Sequence, residues 1–201
     1  MESNFDIESQ MDAILETEPK LLVIVDTQAD FMMSKGALYV PNSEELIGTL
    51  NTMAFELDPI EFPYVLMTFD THHEDTYPGS EEAKQFPIHC IEGTPGHANV
   101  VNVELFHEDI EIYGIQKPVF DMWADGVDDR DEYIQNVAND GIHRVRIVGV
   151  ASDYCVKWAI AGFLDRGFAV EVSRSLTRGI MRDIDTTVNE DFEGCNVLVV
   201  D

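Results

Sequence analysis

Basic residues are scarce. The 201-residue chain holds 12 Lys and Arg against 39 Asp and Glu, a formal charge of −27. That argues against recognition of nucleic acid through its phosphates, which needs clustered Lys and Arg. It argues equally against an anionic membrane surface as partner. Only five lysines occur: Lys20, Lys35, Lys84, Lys117 and Lys157. The plain reading of the acidity is a solvated, soluble surface, and the sharper one is adaptation to high salt. Cysteine is scarce too, limited to Cys90, Cys155 and Cys195. An odd, irregularly spaced count provides no disulfide framework and fits reduced thiols in a cytoplasmic setting. No run approaches the roughly 20 apolar residues of a membrane span. The acidic first residues lack the apolar core of a signal peptide. Repeats, low-complexity tracts and linkers rich in Gly, Ser or Pro are absent.

What is present suits one ordinary domain. Hydrophobic residues make up 45 % of the chain, enough to rule out wholesale disorder. Residues 1–18 read as an acidic arm with helical spacing between Ile7 and Leu15, and residues 19–201 as a single domain. Apolar runs end at Val25, Phe69, Gln116 and Val150, and two more cover residues 168–172 and 197–200. Helical patterns lie between: from Ser43 to Phe55, from Asp128 to Asp140, and after Cys155 through Ala159, Ile160, Phe163 and Leu164. Strands alternating with helices predict an α/β fold, a six-stranded mostly parallel sheet with helices on both faces. Near-continuous apolar strands fit a sheet covered on both sides. Residues 70–111 show little regular pattern, and so long a loop in a compact domain points to function.

Candidate chemical groups follow four of the runs. Asp26 ends the first, Asp70-Thr71-His72 the second, Lys117 the third, and Ala151-Ser152-Asp153-Tyr154-Cys155 the fourth. Open parallel sheets bind ligands at the carboxyl ends of their strands. Cys155, just before an apolar helix, would sit near amide N–H groups and a positive dipole end, which favour thiolate. The competing reading is a small buried core cysteine, and this holds for Cys90 and Cys195. Asp26 is either a turn cap near Asp30 or a proton acceptor for the thiol. Lys117 would then keep Asp26 and Cys155 ionised together. Asp70 and His72 point to one side of an extended segment. His89 would complete a three-ligand set, with His73 as the alternative and Glu82 adding a carboxylate directly or through water. Two His and one carboxylate suit a divalent ion, zinc foremost, with iron or manganese as alternatives.

Five segments in order resemble the nicotinamidase/pyrazinamidase group of the isochorismatase-like cysteine hydrolases. They are Val25-Asp26-Thr27-Gln28-Ala29-Asp30-Phe31 with Gly36 to Pro41, Thr68 to His72, Phe86 to Cys90 with Gly93-Thr94-Pro95-Gly96, Lys117, and Gly149 to Val156. The resemblance spans residues 21–200 and implies a Rossmann-type three-layer sandwich. It implies a catalytic triad of Asp26, Lys117 and Cys155. It also implies a cis Val150–Ala151 peptide and an oxyanion hole from the amides of Ala151 and Cys155. The metal would hold the pyridine nitrogen of a small amide substrate, and Phe31, Leu38, Phe86 and Phe120 would wall the ring. The implied reaction is deamidation of nicotinamide through a thioester. The alternatives are an amidase of the same superfamily acting on a ureido or carbamoyl substrate, and a catalytically silent nicotinamide-binding protein. Relatives of this kind are often homo-oligomers. Phe86 stands where many relatives have Trp and Phe120 where several have Tyr. Met32-Met33-Ser34-Lys35 replaces a Pro-Gly-rich turn, and Asp121-Met122-Trp123 lacks the usual small residues. These departures bear on substrate preference.

Overall fold

The computed structural model describes residues 18–125, 127 and 130–201. The acidic arm expected over residues 1–18, with its helical stretch, lies outside them except for Glu18. Six strands form one parallel sheet: β1 (Leu21–Val25), β2 (Tyr64–Asp70), β3 (Glu111–Lys117), β4 (Arg144–Val150), β5 (Ala169–Arg178) and β6 (Val197–Val200). Their order is β3-β2-β1-β4-β5-β6. The chain winds outward from β1 in one direction, returns to β4, and winds outward in the other. The switch point is therefore the β1–β4 boundary.

Alternation of side chains along β1 divides the core. Leu21, Val23 and Val25 join a cluster with helices α3 (Arg130–Asn139), α4 (Cys155–Asp165) and α5 (Ile184–Asp191). Leu22 and Ile24 join a second cluster with the single turn α1 (Ala29–Met32) and with α2 (Leu46–Glu56). Helices thus cover both faces of the sheet, which is why all five residues of β1 are buried.

Local differences from the sequence reading have identifiable causes. The helix expected from Ser43 begins as a 3-10 turn over Ser43–Glu45 and becomes α-helical at Leu46. The fifth strand runs on to Arg178 rather than stopping at Val172. A register shift lets Gly149 and Val150 pair with Thr177 and Arg178, past the polar stretch that masked the strand. Helix α5, capped where Asp183 accepts from the Thr186 amide, has too few apolar residues to show in the sequence. At the 128–140 helix the described part is α3, and residues 128 and 129 lie outside it.

Candidate active site and metal centre

β1 ends one residue before Asp26, and the chain there takes a left-handed turn, with φ 48° at Asp26. Asp tolerates that region better than most side chains. The turn lets β2 continue past β1, carrying Asp70 beside Lys117 at the end of β3. On the other side of the switch point, Gly149 has φ 109°, and a Cβ there would lie 2.1 Å from the Val25 carbonyl oxygen. Only glycine lets β4 approach β1 this closely. The Val150–Ala151 peptide that follows is cis. The turn is closed by the amides of Tyr154 and Val156, which donate to Ala151 O at 3.0 and 3.1 Å. Cys155 opens α4.

Three side chains converge at the switch point. Lys117 Nζ lies 2.7 Å from Asp26 Oδ2 and 3.8 Å from Asp70 Oδ1. It also donates to Cys155 Sγ at 3.5 Å and to Val119 O at 3.2 Å. All of these side chains are buried. Burial disfavours the Lys117 charge, but Asp26, Cys155 and Asp70 outweigh it and hold the ammonium pKa well above its ordinary value. Burial pushes the Cys155 thiol well above its ordinary value. Lys117 pulls it down, and Asp26 and Asp70 push it up again. Burial and the two carboxylates together favour the thiol over the thiolate. At this helix N-terminus two carboxylates and a dry surround oppose the dipole, while Lys117 acts with it. Asp26 does not cap α1, whose N-cap residue is Gln28.

Beside this trio sits a second cluster. Single ligand atoms of Asp70, His72, Glu82 and His89 all lie within 4.8 Å of one another, and all four residues are buried. His89 Nε2 is 2.8 Å and His72 Nε2 3.2 Å from Asp70 Oδ2. Glu82 Oε2 is 3.1 Å from His72 Nε2. Pro87 O engages His89 Nδ1 at 2.8 Å, which aims Nε2 at the cluster. Asp70 Oδ1 and both Glu82 oxygens are buried without a hydrogen-bond partner. Orphaned carboxylate oxygens facing two imidazoles form a donor set that fits a divalent cation of the zinc, iron or manganese kind. Burial opposes the Asp70 charge, but Lys117 and the bonds to His72 and His89 hold its pKa well below the ordinary range. Burial opposes the His72 charge too, yet Asp70 and Glu82 push its pKa up to about 9. His73 points elsewhere, 3.6 Å from Glu92 and exposed.

Phe31, Leu38, Phe86 and Phe120 line one apolar slot together with Val150, Ala151 and Cys155. Phe86 meets Phe120 and Tyr154 edge-on, with centroids 5.7 and 5.4 Å apart. A larger cleft nearby is lined by none of Asp26, Lys117, Cys155, Asp70, His72, Glu82 or His89.

Several contributors escaped the sequence reading. Thr68 Oγ1 donates to Asp26 Oδ1 at 2.5 Å. The Gln28 side chain donates to Asp70 O and accepts from Asp70 N, both at 2.8 Å, extending the β1–β2 ladder by one rung. Tyr77 packs edge-on against His72 and His89. Tyr154 and Ile180 join the slot. Thr68 carried a signal: a hydroxyl in an apolar, buried strand needs a partner.

The profile of the isochorismatase domain family matches residues 20–199. The nicotinamidase of Saccharomyces cerevisiae is 28 % identical, over 90 % of this chain and 99 % of its own. The nicotinamidase/pyrazinamidase of Mycobacterium tuberculosis is also 28 % identical, over 90 % of this chain and 98 % of its own. The pyrazinamidase of Pyrococcus horikoshii, solved in complex with zinc, superposes with a TM-score of 0.72 at 26 % identity, covering 91 % of this chain and 99 % of that one.

Proposed function

The chain belongs to the isochorismatase domain family, and on that footing we propose that it is a metal-containing cysteine amidohydrolase converting nicotinamide to nicotinate and ammonia. One observation carries the reading. A buried acid, ammonium and thiol meet at the switch point, flanked by a four-residue metal-type cluster and an aromatic slot. The two curated relatives that match over most of this chain's length are named for this activity.

The amide lies with its ring in the slot and its carbonyl carbon over Cys155. As sulfur attacks that carbon, the thiol proton passes to Asp26, so no free thiolate need persist at rest. Lys117 keeps the neighbouring acid charged until then. The amides of Ala151 and Cys155 take up the developing oxyanion. Asp26 returns the proton to the departing nitrogen, which leaves as ammonia, and the acyl group stays on sulfur as a thioester. Water then attacks the thioester, losing its proton to Asp26. Nicotinate departs and Cys155 recovers its proton. Asp70, His72 and His89 would hold the metal, with Glu82 bound directly or through water. When bound there, a divalent ion would supply Lewis-acid attraction for a ring nitrogen of the substrate. The three free thiols fit a reducing, cytoplasmic setting. Among the described residues no helix is long and apolar enough to cross a membrane.

Ammonia release from nicotinamide, with and without chelator, tests the reading. Cys155→Ala is expected to abolish nearly all turnover. A Cys155→Ala protein releasing ammonia at the wild-type rate would overturn the mechanism.

A further inference from the structure

The turn that carries the nucleophile is stapled to the loop after β5. Ser152 N donates to Arg178 O at 2.9 Å, and Ser152 Oγ to Arg182 O at 2.6 Å. The Asp153 carboxylate accepts three successive amides: Ile180 N at 2.9 Å, Met181 N at 2.7 Å and Arg182 N at 3.1 Å. Charge-assisted bonds of this kind are stronger than neutral ones. A Cβ at Gly179 would lie 1.8 Å from Arg182 O, so the loop closes tightly on itself. Arg182 at its far end pairs with Glu190 and Asp191.

Two spaces flank this loop, and Ile180 lines both. On one side is the ring slot, with only about 10 Å³ of water-accessible room. Room that tight makes the position of each wall decide what size of ring fits. The aromatic walls brace one another: Tyr154 lies 5.4 Å from Phe86 and 5.2 Å from Phe120, ring to ring. On the loop's other side is an open cleft of about 400 Å³, bordered by Pro41, Asn42 and Arg174. The Met181 side chain points outward, 81 % exposed. The loop is the wall with space behind it, and the Asp153 carboxylate holds it forward.

We propose that Asp153 is a positioning residue that sets the width of the ring slot, and with it the size of amide the site accepts. This rests on the amidase reading above. Without the staple, the Ile180 wall relaxes into the cleft. A one-ring amide then loses contact, and a fused two-ring amide gains entry.

The test compares the full-length wild-type protein with Asp153→Ala, Asp153→Asn and Ile180→Ala. Hydrogen exchange is read at the amides of residues 180–182, and kcat and KM are measured for nicotinamide and quinoline-3-carboxamide. In Asp153→Ala, exchange at those amides is expected to quicken about 10- to 100-fold, with a smaller change in Asp153→Asn. The preference for the one-ring amide in kcat/KM is expected to fall about tenfold, mainly through KM. Ile180→Ala, which trims the wall directly, should reproduce the lost preference without the faster exchange. Should Asp153→Ala fail to fold, Asp153→Asn and Ile180→Ala still decide. Unchanged exchange in the Asp153 variants would remove the staple. Faster exchange with unchanged preference would remove its role in selectivity. A wild-type protein inactive on both amides would instead defeat the amidase reading, and the slot-width claim would then be judged by the equilibrium affinities of the same two amides.

Discussion

At Asp26 two side chains divide one carboxylate: Thr68 takes Oδ1 at 2.5 Å and Lys117 takes Oδ2 at 2.7 Å. The group is thereby oriented before it receives a proton. Thr68→Val keeps the shape but leaves Oδ1 buried and unbonded, at a stability cost of about 1–3 kcal/mol. Misplacing the acid should lower kcat about 10- to 100-fold, with Thr68→Ser restoring most of it. Steady-state kinetics and thermal melts on both variants check this, and an unchanged kcat in Thr68→Val would count against the role. His72 supplies a second prediction. Its pKa is pushed up to about 9, so below that pH the metal-free protein holds a proton where a cation would bind. Metal must displace it, so affinity should rise about tenfold per pH unit from pH 7 and level off near pH 9. Calorimetry of zinc binding to chelator-stripped protein, in buffers of differing ionisation enthalpy, should show the proton released. A flat affinity over that range would remove the coupling.

Among elements, the β1–β4 pair does most to build the site. Both strands end at the switch point, one just before a left-handed aspartate and the other just after a glycine packed against the Val25 backbone. The spacing between acid and thiol is therefore set by backbone contact rather than by flexible side chains. Gly149→Ala would press a methyl group to 2.1 Å from Val25 O in a backbone region that L-residues avoid. The strands must then part, and a stability loss of at least about 3 kcal/mol is expected. Denaturant unfolding measures it, and a midpoint equal to wild type would refute the account. Helix α4 contributes differently. Its Val156, Ile160 and Phe163 are fully buried and lock Cys155 to the core.

Over the whole molecule, the charge of −27 dominates. Several cations are already committed to specific partners, as Arg144 and Arg146 are to Glu171, and Arg174 to Asp185 and Asp201. Carboxylates still outnumber cations 39 to 12, and repulsion among the exposed ones is screened by salt over a Debye length of about 10 Å at 0.1 M. The melting temperature should rise as KCl increases from about 0.05 to about 1 M. A melting curve indifferent to salt would show that the acidity is only a solvated surface.

Strand periodicity made the parallel sheet legible, because strands buried on both faces must be apolar throughout, and the group following each run was legible with it. Asp26, Asp70, Lys117 and Cys155 could be picked out because charge and sulfur are conspicuous after such runs. Thr68, Gln28 and Asp153 could not, since their partners lie 27 to 42 residues away and no local pattern encodes such a distance. The balance of charges acting on Cys155 was also beyond local reading. The sequence by itself determined the six strands, three of the helices between them and the chemical groups available at the strand ends. Only the tertiary structure decided which groups touch, how wide the slot is and where the protons rest. Those depend on burial and on charges brought together through space.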